Sequence, residues 1–246
     1  MTGFGYNVNG FGVGGGEESM SWQYSGGFST SSQIVRPADL VWNGTHFWVI
    51  DSYNTKRRVY KYTAAGVYTG TSFSTYPNEQ AAPEWIVATG IAWDGTSLWG
   101  LGSLTDRVWK FNASGSYQNV TFSVASQETN PEGITWDGTH FWIVGRSNDA
   151  VYKYNASGVY QNVSFSVAGQ ETLPRGITWD GTHFWVLGDN QYAYSYTAAG
   201  VYTGTSFYVA FSDPQGITWD GTSLWVSGYQ ALNNNSVYKY SYLPTP

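Results

Sequence analysis

Three histidines and a set of recurrent aspartates are the residues of this chain best suited by type to ligate a metal or move a proton. His46, His140 and His183 each stand three positions after an Asn or Asp, in Asn43-Gly44-Thr45-His46, Asp137-Gly138-Thr139-His140 and Asp180-Gly181-Thr182-His183. Asp94 and Asp220 open the same phrase, but Ser97 and Ser223 replace the histidine. A carboxylate ring binding cations is one chemistry this pattern could support. The simpler reading is a hairpin turn. Asp or Asn before Gly suits a type I′ turn, and one position per repeat spreads the histidines around a ring instead of gathering them.

Other candidates are the tryptophan pairs, such as Trp136 and Trp142, and the glutamates Glu84, Glu128, Glu132 and Glu171. Indole faces can stack sugars, but every unit keeps its pair, so packing between sheets is the expected use. The sequence contains no nucleophile elbow, phosphate-binding glycine loop, zinc-helix motif or calcium loop. Sequons occur at Asn43, Asn112, Asn119, Asn155 and Asn162, and three of them overlap the Asn-Gly and Asn-Ala-Ser-Gly turns, which explains their composition without glycans. No cofactor and no metal site is expected.

These residues are carried by a phrase that occurs five times, from Leu40, Ile91, Ile134, Ile177 and Ile217, with first tryptophans at Trp42, Trp93, Trp136, Trp179 and Trp219. A short apolar strand, a turn and a returning strand such as 141–144 make a hairpin. An alternating third strand follows, Val151-Tyr152-Lys153-Tyr154 and its counterparts, then an Asn-Ala-Ser-Gly or Thr-Ala-Ala-Gly turn and a fourth strand ending near Phe73, Phe122, Phe165 or Phe207. Units of this length with four strands are propeller blades. The fifth unit stops after its third strand. Trp22 to Phe28 stands before Trp42 as a fourth strand would, since Phe28 precedes Trp42 by the same interval as Phe122 precedes Trp136. The expected fold is all-β, a five-bladed β-propeller of four-stranded antiparallel blades closed by the N-terminal strand completing blade five. Expected boundaries are an arm over 1–20, the outer strand of blade five over 21–29, and blades near 37–76, 86–124, 131–167, 174–209 and 214–242.

The phrase Pro-x-Gly-Ile-Thr-Trp-Asp-Gly-Thr, seen from Pro131 and Pro174, followed by Val151-Tyr152-Lys153-Tyr154, resembles five-bladed propeller repeats of bacteriophage virion proteins, in capsid decoration or tails, and of bacterial surface proteins. That resemblance implies a non-enzymatic display protein of a virion, made in a host cytoplasm, with a cell surface or cytoplasm as the alternative location. At the level of Trp-Asp-Gly the repeats also resemble the five-bladed glutaminyl cyclases. An enzyme of that kind would need an acid at the central channel.

Composition narrows the partners. A formal charge of −6 and only 11% charged residues disfavour broad phosphate contact, so no nucleic acid is expected, and Lys56-Arg57-Arg58 reads as a solvated turn. No apolar run is long enough to span a membrane, and no secretory signal is evident. The loops between second and third strands vary from blade to blade, and they supply the candidate ligand residues Asp51, Arg57, Arg107, Asn148, Asn190 and Asn233. Gln127 with Glu128, and Gln170 with Glu171, form two similar polar pairs that could serve a multivalent lectin binding glycans. The glycine-rich arm over 1–20, with Phe4, Tyr6 and Phe11, is expected to anchor the ring to protein partners in a larger assembly.

Overall fold

A computed structural model describes residues 19–52, 57–75, 88–229 and 235–245. The chain enters through β1 (Met20–Ser29) and then builds blade one from β2 (Pro37–Trp42), β3 (His46–Asp51), β4 (Arg58–Thr63) and β5 (Tyr68–Ser74). Blade two is β6 (Ala88–Trp93), β7 (Ser97–Gly102), β8 (Arg107–Asn112) and β9 (Tyr117–Ser123). Blade three is β10 (Pro131–Trp136), β11 (His140–Gly145), β12 (Ala150–Asn155) and β13 (Tyr160–Ser166). Blade four is β14 (Pro174–Trp179), β15 (His183–Gly188), β16 (Tyr192–Thr197) and β17 (Tyr202–Tyr208). Blade five takes β18 (Asp213–Trp219), β19 (Leu224–Tyr229) and β20 (Ser236–Pro244), and β1 pairs antiparallel with β20 as its outermost strand. The fold is the five-bladed propeller that the repeat implies, and the first strands β2, β6, β10, β14 and β18 pack in a closed ring about the axis.

Each seam between blades is its own apolar core. The seam of blades three and four joins Trp142, Val144, Val151 and Val167 to Ile177, Phe184, Val186 and Tyr196. Burying a side chain of this size contributes roughly 1.5–3 kcal/mol. The seams also lock by shape. Gly115, Gly158 and Gly200, at positive φ in the third-to-fourth strand turns, leave room for Phe73, Phe122 and Phe165 of the preceding blade, and Gly66 does the same for Phe28. Phe28 belongs to β1, so the closing strand engages blade one as the fourth strands of blades one, two and three engage their neighbours. Its ring meets Phe47, Tyr62 and Trp225.

One turn expectation changes. The Asp-Gly hairpins carry positive φ at Gly44, Gly95, Gly138, Gly181 and Gly221 but not at the preceding residue, and residues 43 and 46 close around Gly44-Thr45. That sign pattern belongs to a II′ turn, not I′, because Gly takes the first central place and the acid flanks it. Asn119 and Asn162, the two sequons outside the Asn-Gly and Asn-Ala-Ser-Gly turns, lie within strands. They sit at bulges in β9 and β13 with φ of 56° and 57°, where Gly70 and Gly204 occupy the matching strands.

Strand direction gives the ring two faces. First strands descend from the blade-to-blade connections to the Asp-Gly turns, so the connections and the second-to-third loops share one face, here the loop face. The Asp-Gly and Asn-Ala-Ser-Gly turns share the other, the turn face. β1 begins opposite Pro244 at the turn face and ends opposite Ser236 at the loop face.

Candidate functional site

The recurrent aspartates are structural clamps with a partner that sequence spacing alone did not name. Asp137 Oδ1 accepts the amides of Thr139 and His140 at 2.8 and 2.7 Å, and Oδ2 accepts the indole N–H of Trp142 at 2.6 Å. Asp94 holds Trp99 at 2.7 Å, Asp180 holds Trp185 at 2.8 Å and Asp220 holds Trp225 at 2.6 Å in the same way. Burial raises the carboxyls of Asp94, Asp137 and Asp220, but the hydrogen bonds from Trp, Thr and the turn amides outweigh it, and the net pKa lies below the ordinary value. Lysines of the third strands lie over three of the clamped indoles, Lys110, Lys153 and Lys239 being 4.9–5.4 Å from the ring centroids, and Lys61 lies in the same way 5.2 Å from the centroid of Trp48. The histidines sit beside these turns, with His46 and His140 contacting Thr45 and Thr139 through Nδ1 at 2.9 and 2.7 Å. No cluster of three or more His, Cys, Asp or Glu that could hold a metal occurs among the described residues.

The axis carries an acid that the sequence reading passed over. Gly90, Gly133, Gly176 and Gly216 line up around it, and backbone of the neighbouring blade, or Asp39 itself, stands within about 3 Å of where each Cβ would be. Asp39 takes the fifth place. The residue is 3% exposed, and its carboxylate accepts the amides of Leu40 and Ile91, each at 2.8 Å, with a further backbone bond from Ile217. Burial pushes its pKa well above the ordinary range, and these amides oppose that rise. The sequence signal was available: Ala38-Asp39-Leu40 departs from the Gly-Ile of the other four units.

On the turn face of this plug lies a cavity of about 90 Å³ ringed by Trp42, Trp93, Trp136, Trp179 and Trp219, with Thr135, Thr178 and Thr218 in its wall. On the loop face the axial mouth is charged. Glu132 meets Arg146 at 3.4 Å, Arg175 meets Asp189 at 2.7 Å and Asp213 at 3.9 Å, and Arg36 meets Asp213 at 3.2 Å. Burial lifts the Glu132 carboxyl above its usual value despite the nearby Arg175 and Arg146.

The residues expected to bind ligand divide between the interior and the loop face. Asp51 is buried and accepts the amides of Val35 and Arg36 at 3.1 and 3.2 Å. Glu128 is buried and accepts from Asn130 and Ser147, and Glu171 from Leu173 and Asn190. Gln127 and Gln170 accept the hydroxyls of Tyr154 and Tyr196 at 3.2 Å each, as Gln33 does for Tyr62 at 3.4 Å. These polar residues tie connections to blades. Asn148 and Asn190 remain on the loop surface, where Asn190 holds the Tyr194 hydroxyl at 2.7 Å, and the half-buried Arg107 meets Thr121 at 3.3 Å. Arg57 lies at the same edge, its carbonyl taken by the Thr75 amide at 3.0 Å. Phe4, Tyr6, Phe11, Lys56, Glu84 and Asn233 lie outside the described residues.

No protein-family model and no curated protein matches the chain. Solved structures do. The glutaminyl cyclase of Myxococcus xanthus aligns over 92% of this chain and 97% of its own with a TM-score of 0.71 at 10% identity. A calcium-binding protein, regucalcin, from Agrobacterium tumefaciens aligns over 91% and 96% with a TM-score of 0.55 at 12% identity. A streptogramin B lyase aligns over 91% and 98% with a TM-score of 0.52 at 14% identity. At these identities the likeness is one of fold, and that fold is the propeller.

Proposed function

We propose that the chain is a non-enzymatic binding propeller, tethered by residues 1–20 and turning its loop face toward a ligand. The setting we propose is a phage virion, as a capsid-decoration or tail-associated protein, and the ligand class is a surface glycan. The observation that carries this reading is strand polarity. Met20 and Pro244 lie together at the turn-face edge of blade five, whereas the loops that differ between blades lie at the opposite face. A tether at one face leaves the other free, and loops on a rigid scaffold are where recognition resides. Asp39 supports a scaffold role for the axis, because both its oxygens accept backbone amides.

Removing residues 1–18 tests the tether. The ring is expected to fold and still bind glycan on an array, but to fail to join particles. Incorporation of the truncated ring at the wild-type level would refute the tether. Asn148→Ala with Asn190→Ala is expected to weaken glycan binding by roughly tenfold without lowering thermal stability, the loss expected for about 1.4 kcal/mol of contact. An unchanged array profile would refute the loop-face assignment.

A second reading rests on Glu132, an acid at the axial mouth with a raised pKa, as a general acid or base would have. A cyclase-like activity would release ammonia from a peptide with an N-terminal glutamine and would be lost in Glu132→Gln. No release from the wild-type chain rules it out.

A further inference from the structure

The corner that leads from the second-to-third loop into the third strand has one backbone in four blades. Arg57, Asp106, Asp149 and Gln191 all take positive φ there, and their carbonyls accept the amides of Thr75, Val124, Val167 and Val209 at 2.8–3.0 Å. Just beyond the corner, the first residue of the third strand stands opposite the end of the fourth. The facing pairs are Arg58 with Ser74, Arg107 with Ser123 and Ala150 with Ser166, and in blade five Ser236 with Ser29. Blade four alone sets two aromatics there, Tyr192 opposite Tyr208. The backbone is shared and four other pairs close their blades without a ring, so the fold does not require these tyrosines.

Packing does not hide them either. Tyr192 is 40% and Tyr208 56% exposed, at the loop-face ends of β16 and β17. They are nevertheless held in place. Their ring centroids lie 5.7 Å apart at 69°, edge to face, and Tyr192 lies 6.1 Å from Tyr194 at 33°. The Tyr208 hydroxyl donates to Gln191 Oε1 at 2.8 Å. Asn190 Oδ1 accepts the Tyr192 amide at 3.1 Å, and its Nδ2 donates to the Tyr194 hydroxyl at 2.7 Å. None of these five side chains is ionised at neutral pH, and Asp189, just before them, is bound to Arg175 at 2.7 Å. Phenol faces fixed beside carboxamides suit an uncharged pyranose, whose C–H face covers a ring while its hydroxyls bond the amides and phenols. An acidic sugar would find no cation in the cluster to offset the desolvation of its carboxylate.

We infer that the loop-face end of blade four is a subsite for an uncharged pyranose, laid over Tyr192 and Tyr208 and hydrogen-bonded by Asn190 and Gln191. This rests on the glycan reading of the loop face and narrows it to one blade and to neutral sugars. Blade three shows what the other corners lack. It has the asparagine, Asn148, and the inner tyrosine, Tyr152, but Ala150 and Ser166 stand where blade four has its two rings.

The test is an array of neutral oligosaccharides of glucose, galactose, mannose and N-acetylhexosamines, printed beside their sialylated and uronic-acid counterparts and probed with the full chain. Wild type is expected to bind neutral glycans and to gain nothing from an added acid. Tyr192→Ala with Tyr208→Ser gives blade four the pair of blade three. It is expected to lower affinity for the best neutral glycan by about tenfold or more, as loss of aromatic anchors does. Its melting midpoint should stay within about 2 °C of wild type, because both rings are exposed. Tyr192→Phe keeps the ring and should bind as wild type does. Tyr208→Ser alone, the serine of blades one to three, should weaken binding severalfold and serves where the double variant does not fold. Variants with the wild-type array profile, or a wild type that prefers acidic glycans, overturn the blade-four subsite and leave the loop-face reading standing. A wild type that binds no glycan overturns both.

Discussion

Blade one and the other four blades have the same strands and answer the same packing problems with different residues. Where blades three and four place Glu128 and Glu171 from the connection against Gly145 and Gly188, blade one reverses the pair, with Ile34 in the connection and Asp51 at the glycine position. Blade five fills the same place with Phe211 against Gly228. The space admits one side chain, and its donor strand is free to change. Asp39 for Gly and Asn43 for Asp are two further departures in blade one. Asn43 Oδ1 still accepts the turn amides of Thr45 and His46 at 3.1 and 2.8 Å, but its amide cannot accept the indole, and Trp48 Nε1 is left buried without a partner. The comparison separates what the backbone requires from what one side chain supplies.

The largest expected effect comes from forcing blade one's solution onto blade four by halves. Gly188→Asp alone sets a second buried carboxylate against Glu171 and is expected to cost about 3 kcal/mol or more, read as a lowered urea midpoint. Adding Glu171→Ile completes the exchange and should restore most of the loss. An additive outcome would show that the two positions do not share a space.

Next come the clamps. Asn43→Asp gives Trp48 its missing acceptor and is expected to stabilise the ring by about 1–2 kcal/mol, whereas Asp137→Asn should destabilise it by about the same amount. The pH dependence of these variants has a definite sign. The clamp carboxyls of Asp94, Asp137 and Asp220 have depressed folded-state pKa values, so their contribution is present above about pH 4 and is lost as pH falls through the folded value. Asp137→Asn should flatten the acid limb of stability. An unchanged limb would remove the clamp from the account.

Asp39 carries the opposite sign. Its folded-state pKa is raised, so its contribution is present below about pH 4 and is lost as pH rises. The stability of Asp39→Asn relative to wild type should therefore climb between pH 4 and pH 7. A difference that is constant with pH would mean the axial acid is ionised throughout. The smallest effect is expected at the β9 bulge. Asn119→Gly copies Gly70 and Gly204 at positive φ and should leave stability within roughly 0.5 kcal/mol of wild type.

The five phrases, their shared turns and the interval from Phe28 to Trp42 determined the blade number, the order of strands and the closure through β1. Each of these depends on local periodicity and on a repeat that must bury its faces against copies of itself. Sequence also marked the aspartates and histidines of the turns as structural by their recurrence. It could not show that each aspartate reaches the tryptophan five residues on, because that bond crosses from the turn to the returning strand and depends on the pleat. It treated Glu128, Glu171, Gln127 and Gln170 as surface polar pairs, since connections read as loops, and only the seam between blades decided that the two glutamates are buried. Asp39 was one changed letter in a strand until ring closure set it among four glycines.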